Sequence, residues 1–339
     1  MAGVCSMRFA GLALWRLVLC GLLRSQMHAG ALRADSDTVQ VAVAADKHTI
    51  GVVRALLSSA SAHSPNTAVH VIHAEDTSSS CQELVTSGLQ SVARCVLWAS
   101  SDIARVSSLI RVVSGQNSSA CAGLEGCDTT RAKRLSNSFN FARFFLSEIL
   151  PDLDRVIWMD CDVIISKDMG PVWNQFRRSD TLVTAFVEPV RFGRFYLQQD
   201  AVVGLIEARF PRLRLDMEAE SFNDGVIGVN LKSWREHNVQ DVLLWLMHAH
   251  SRSETGLWKY GTQPIMMLLG TVFGWERLPG SFCYGDLGFQ QAVPALLKQA
   301  VFLHFNGERK PWKAGGINKH LWEPYFHGQT SSLAIGITL

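Results

Sequence analysis

Two aspartates, Asp160 and Asp162, stand one residue apart directly after the apolar run Val156-Ile157-Trp158-Met159. In an extended chain alternate residues share a side, so both carboxylates face one way and Cys161 the other. Two convergent carboxylates suit a hard divalent cation, and the cation in turn suits a phosphate-bearing substrate. A second group lies far downstream, in VFLHFNGERKPW at 301–312, where His304, Gly307 and Lys310 follow one another at every third position. A histidine ligates metal, a glycine bares its backbone amide, and a lysine supplies a point charge for phosphate. Arranged around a turn, the three can clasp a metal-bound diphosphate. Each stretch alone also has a plainer reading. The aspartates end a strand and begin a turn, and His304 and Lys310 are a loop histidine and a surface lysine.

The elements that would position these residues are readable from the same pattern. Val156–Met159 is short, bulky and β-favouring, the mark of a strand buried on both faces in a parallel sheet. Carboxylates at the carboxyl end of such a strand sit where open α/β sheets bind ligands. Upstream, Val39–Ala45 reads as a strand ending at Asp46, and Thr49 as the cap of a helix through Val52, Val53, Leu56 and Leu57. Val69–Ala74 and Ala93–Trp98 read as further strands, with a helix over Ser78–Leu89 between them. This alternation predicts a parallel sheet with crossover helices. Ala44 and Ala45 are small enough for a flat ring to approach the backbone, and Asp46 can accept bonds from it. By itself Asp46 is a turn or capping residue.

The rest of the chain is less regular. Ser100–Arg134 reads as a polar surface excursion carrying the glycosylation triplet Asn117-Ser118-Ser119. Ser138–Leu150 is apolar at helical spacing, with Arg143 on its solvated face. Asp168–Phe176 reads as a turn and helix, and Thr181–Val187 as a strand. Arg191–Ala219 mixes charge, aromatics and single leucines, as a lid or acceptor-binding excursion would. Asn223-Asp224-Gly225 is turn chemistry ahead of a strand. Leu231–His250 reads as a helix with His237, His248 and His250 on its surface, and Pro264 suits the first turn of the next helix.

The chain has 339 residues, 47% of them hydrophobic and 18% charged, with a net charge of +2. That suffices for one large α/β domain, expected over residues 38–328 with a tail at 329–339. A nucleic-acid partner would need a far stronger basic excess. Residues 1–30 have a basic start, an apolar run from Phe9 to Leu23 and the small residues Ala29-Gly30-Ala31. This reads as a signal peptide, or as a signal anchor that would tether the protein to a membrane. Six cysteines lie beyond it, an even number that allows disulfides, with Cys121 and Cys127 the nearest local pair.

Taken together, these stretches resemble glycosyltransferase family 8, the retaining nucleotide-sugar transferases of GT-A fold. The resemblance runs from Val39 to Tyr325. It is carried by VAVAAD at 41–46, FNFARFFLSEILPDLDRVIWMDCDVI at 139–164, FNDGVIGVNLKSWREHNV at 222–239, LWKYGTQP at 257–264 and HFNGERKPW at 304–312. The nearest branches are the galacturonosyltransferase-like and "glycosyltransferase 8 domain-containing" proteins. The resemblance implies a mostly parallel central sheet flanked by helices, a UDP-sugar donor and Mn²⁺ or Mg²⁺ held by Asp160, Asp162 and His304. It gives Ala44 and Asp46 to the uracil, Asp160 to the ribose as well, and Arg143 to the donor's sugar or diphosphate. Gly307 and Lys310 would hold the diphosphate, Asn223 would face the donor sugar, and Gln263 would lie near its anomeric carbon. Asp224 and Gln263 both stand as candidates for the reactive face.

The sequence departs from the family at two of these places. Bacterial members carry an acidic residue beside the glutamine, where this chain has Gln263-Pro264, and many members have Ser, Ala or Pro in place of Asp224. The acceptor implied is a glycan or glycoprotein in the secretory pathway, in the Golgi lumen or outside the cell. Two other readings are compatible with the residues: a non-catalytic binder of nucleotide sugar or glycan, and a metal-dependent nucleotide-sugar hydrolase.

Overall fold

The computed structural model describes residues 37–115, 135–193, 197, 199–253, 256–258 and 261–327. The leader, the Asn117 triplet, the Cys121–Cys127 pair and the tail lie outside them. Among the described residues no helix is long and apolar enough to cross a membrane.

The amino-terminal half is the expected alternation. Strand β1 (Val39–Ala44) leads to helix α1 (Val53–His63), β2 (Thr67–His73), α2 (Ser78–Leu84), β3 (Ala93–Leu97) and α3 (Ser100–Gly115). Helix α3 corrects the reading of a polar excursion beginning at Ser100. Its polar residues are spaced so that Val106 and Ile110 reach the core, enough to seat the helix. Residues 138–149 are not one helix but three short turns, Ser138–Phe141, Ala142–Phe144 and Leu146–Ile149. Then come β4 (Arg155–Met159), β5 (Val163–Ile165), α4 (Gly170–Arg178), β6 (Val183–Arg191), α5 (Gln199–Arg209) and β7 (Glu220–Asn230). The chain continues through α6 (Leu231–Glu236), α7 (Val239–Arg252), α8 (Gln263–Phe273), β8 (Trp275–Leu278), β9 (Cys283–Tyr284), β10 (Phe302–His304) and α9 (Lys319–Phe326).

Seven strands form the main sheet in the order β3-β2-β1-β4-β7-β6-β8. Four of its ladders are parallel, and β7 runs antiparallel to both β4 and β6. The mostly parallel sheet flanked by helices is the fold expected. Strand β4 is buried on both faces, as its composition requires. Val156 and Trp158 pack into one core layer, Ile157 and Met159 into the other. A small second sheet, β5-β10-β9, sets β10 antiparallel to β5 with His304 opposite Val163. Helix α9 packs back on α1 through a bond between Tyr325 Oη and His63 Nε2, 2.7 Å. A disulfide joins Cys81 of α2 to Cys95 of β3.

His250, expected on a helix surface, is buried. Its ring stacks on Trp258 at 4.0 Å and its Nδ1 accepts the Leu257 N–H at 3.0 Å. Burial pushes its pKa from 6.5 down to about 4. The unfolded chain therefore binds the proton more readily than the folded one, and stability rises with pH through this window. Stability is lost as pH falls from 6.5 towards 4, by as much as about 3 kcal/mol from this one group. Urea unfolding at pH 7.5 and pH 5 measures the loss, and His250→Gln is expected to flatten it. An unchanged slope in that variant would place the acid sensitivity elsewhere.

Candidate active site

A cleft of about 830 Å³ opens at the carboxyl ends of β1 and β4, walled by the second sheet, the end of β6, the middle of β7 and the start of α8. All eleven residues singled out in the sequence line it: Ala44, Asp46, Arg143, Asp160, Asp162, Asn223, Asp224, Gln263, His304, Gly307 and Lys310. Strand β4 stops at Met159, and Asp160-Cys161-Asp162 turns the chain into β5. The register of β10 on β5 brings His304 beside Asp162, fixed by Phe305 N–H donating to the Asp162 carbonyl at 2.9 Å. His304 Nε2 lies 3.3 Å from Asp162 Oδ1 and 3.9 Å from Asp160 Oδ2. One ligand atom from each of the three falls within 4.8 Å of the others. Hard divalent ions with bonds of about 2.0–2.6 Å bridge such a spread, so two carboxylates and an imidazole fit Mn²⁺ or Mg²⁺.

The electrostatics agree with the geometry. Burial acts to raise the Asp162 carboxyl, but Lys310 and His304 beside it hold it far below the usual carboxylate range. Burial acts to lower His304, yet Asp162 and Asp160 raise it above the ordinary histidine value. Lys310 Nζ donates to Asp162 Oδ2 and, at 2.9 Å, to the Phe305 carbonyl. Gly307 has φ +118°, and a Cβ there would stand 2.6 Å from the Gly288 carbonyl carbon, so the loop closes only on glycine.

Arg143 is where the structure departs furthest from the sequence reading. It is 1% exposed rather than solvated. Its Nε donates to Asn140 O, its Nη1 to Asp224 O at 2.6 Å, and its Nη2 to Asn140 Oδ1 and to Asp160 Oδ1 at 2.8 Å. The Asp224 carboxylate lies 2.8 Å from Nη1, and the guanidinium stands 4.8 Å over the Trp158 ring. Trp158 Nε1 donates to the same Asp160 oxygen at 3.0 Å. Arg143 and Trp158 thus fix one oxygen of Asp160 and leave the other facing His304.

Asn223-Asp224-Gly225 is not a turn. All three lie inside β7, beyond its last residue paired with β4 and at the register shift in its ladder with β6. Local bonds hold them there: Gly225 N–H donates to Asn223 Oδ1 at 2.9 Å, and the Gly225 carbonyl accepts from Asp160 N–H at 2.8 Å. Burial raises the Asp224 carboxyl, with Arg143 opposing and Asp160 adding to the rise. Asp46 combines both of its readings: it lines the cleft, and its Oδ1 accepts from His48 N–H, Thr49 N–H and Thr49 Oγ1. Its Oδ2 accepts from Asn137 Nδ2 at 2.7 Å. Burial raises its carboxyl, and the bonds from Thr49 and Asn137 outweigh that to lower it.

Sequence reasoning missed Glu188. Gln263 Nε2 donates to Glu188 Oε2 at 2.7 Å and Asn223 Nδ2 to Glu188 Oε1 at 3.5 Å. Its signal was a single carboxylate inside the apolar run of β6, which is costly there unless used. Asn137, Asn140 and Thr262 were missed too, being polar residues without a distinctive spacing.

The family model for glycosyl transferase family 8 matches residues 40–316. A protein named "Probable galacturonosyltransferase 13", from Arabidopsis thaliana, is 26% identical over 204 residues, covering 58% of this chain and 37% of its own length. "Glycosyltransferase 8 domain-containing protein 1" of Xenopus laevis is 28% identical over 208 residues, covering 55% of each. The chain thus spans about a third to a half of the curated relatives' length. Among solved structures, the galactosyltransferase LgtC in complex with donor and acceptor sugar analogues superposes with a TM-score of 0.58 at 17% identity, covering 88% of this chain and 98% of that one. At that identity the likeness is one of fold.

Proposed function

Since the chain belongs to glycosyl transferase family 8 and is a glycosyltransferase, we propose that it moves a sugar from a UDP-sugar to a glycan or glycoprotein, with retention at the anomeric carbon and with Mn²⁺ or Mg²⁺ as cofactor. One observation carries the reading. Asp160, Asp162, His304 and Lys310 converge in the same cleft as Asn223, Asp224 and Gln263. The first group suits a diphosphate and the second a sugar beyond it.

In this reading the uracil lies against Ala44 and Asp46, and Asp160 serves both ribose and metal. A cation held by Asp160, Asp162 and His304 would supply positive charge to the diphosphate leaving group. Lys310 and the Gly307 amide add to that from the protein, in place before the bond breaks. The bond between the sugar's anomeric carbon and the diphosphate oxygen breaks. The acceptor's hydroxyl oxygen bonds to that carbon on the same face, and its proton passes to the leaving phosphate oxygen. Glu188 holds the amides of Gln263 and Asn223 by their nitrogens, which orients both towards the reacting carbon. Arg143 is a positioning residue that aims Asp160 and Asp224. The Cys81–Cys95 disulfide supports an oxidising, secretory compartment.

Thermal stability measured against a panel of UDP-sugars tests this, with Mn²⁺ and with chelator. A rise with one UDP-sugar that vanishes on chelation is the expected result; no rise with UDP itself would overturn the reading. In the same assay Lys310→Ala is expected to weaken UDP about tenfold while changing uridine by no more than about twofold, because the lost bond is to phosphate. Equal losses for both ligands would move Lys310 away from the diphosphate.

A further inference from the structure

The end of the cleft beyond the metal-binding group is rich in carboxylates. Asp224 is 7% exposed, and Glu188 carries Gln263 and Asn223 on its two oxygens. Asp160 stands on the other side of Arg143. Among the described residues lining the cleft, the arginines and lysines are Arg143, Lys310 and Lys313. All three nitrogens of Arg143 are committed to protein oxygens. Lys310 is engaged by Asp162 and the Phe305 carbonyl, and Lys313 belongs to the same loop.

We infer that the donor sugar is neutral, and that Asp224, with Glu188 beside it, excludes sugars bearing a carboxylate. This rests on the UDP-sugar reading above, which sets the diphosphate at Lys310 and the sugar between Asn223, Asp224 and Gln263. The hydroxyl at carbon 6 of a neutral hexose donates a hydrogen bond to a carboxylate, whereas the ionised carboxyl that replaces it in a uronate offers acceptors only. Its charge would also meet the like charges of Asp224, which is buried beside Arg143, and of half-buried Glu188, where repulsion is screened less than in open water. Discrimination then arises from a repulsive element as much as from an attractive one. The inference runs against carrying over the galacturonate donor that the plant relatives' names imply for them.

Two donor pairs that differ only at carbon 6 provide the test: UDP-glucose with UDP-glucuronate, and UDP-galactose with UDP-galacturonate. Each is titrated calorimetrically into the full chain with Mn²⁺, alongside UDP. In at least one pair the neutral member is expected to bind at least tenfold more tightly than its uronate. That gap is expected to narrow several-fold in Asp224→Asn, which keeps the shape, and in Glu188→Gln, which alters a cleft-lining residue on another strand. UDP binding accompanied by equal or tighter binding of a uronate donor would overturn the inference alone. A gap unchanged in both variants would remove these carboxylates as its source. Absence of UDP binding would overturn the UDP-sugar reading and the inference with it.

Discussion

Asp162→Ala is expected to lower metal-dependent UDP affinity by at least about a hundredfold, a larger loss than the 10- to 100-fold typical of residues that merely support a ligand. Asp162 is the point on which the site converges: His304 lies 3.3 Å from one of its oxygens and Lys310 donates to the other. Removing the carboxylate takes away a ligand and leaves His304 and Lys310 without the oxygens they face. Asp162→Asn keeps the shape and removes the charge, so it separates lost coordination from lost packing. Isothermal titration of UDP with Mn²⁺ and with chelator reads the affinity, and circular dichroism reports whether the fold persists. A folded variant that binds UDP with unchanged metal dependence would show that Asp162 is not a ligand.

The second large effect is steric. A Cβ on Gly225 would stand 2.3 Å from His304 Cε1 and 2.9 Å from both His304 Nε2 and Asn223 Oδ1. No side chain tolerates the first of these distances, so the His304 ring, buried at the edge of the cleft, must shift. Gly225→Ala is therefore expected to displace His304 and to match His304→Ala in Mn²⁺-dependent UDP binding. Overpacking is expected to cost about 1–3 kcal/mol of stability besides. Mn²⁺ titration and urea unfolding of both variants are the measurements. Wild-type metal affinity in Gly225→Ala would mean that the ring finds another position. Loss of transfer with metal affinity intact would place the clash on the sugar side, through Asn223.

Much of this was legible because the signals are local. An apolar run ending in Asp160 and Asp162 declares a strand and its functional end, and the spacing of His304, Gly307 and Lys310 declares a turn with donors on it. The failures come where distant contacts decide. Arg143 sits at helical spacing, and its burial depends on Asp160 and on Asp224, which is 81 residues away. Asn223-Asp224-Gly225 has the composition of a turn, but it continues β7 through a register shift against β6, its end held by the distant Asp160 N–H donating to the Gly225 carbonyl. Ile103, Val106, Leu109 and Ile110 recur at helical spacing among serines and arginines, and the polar, Gly- and Ser-containing sequence that follows hides that pattern until the core they meet is known. The pairing of Cys81 with Cys95 could not be chosen by counting cysteines.

The second sheet has a consequence for the order of events during synthesis. Lys310 meets Asp162 across 148 residues of chain, and His304 arrives on β10, one of the last strands. Contacts between such distant residues carry a large loop-closure cost and form late. A chain emerging amino-terminus first can assemble β1 to β4 with their crossover helices well before β10 exists. Until β10 joins β5, the nascent protein has two aspartates but no third ligand and no lysine opposite them. Competence for the cation therefore arrives late and abruptly, with the docking of one three-residue strand.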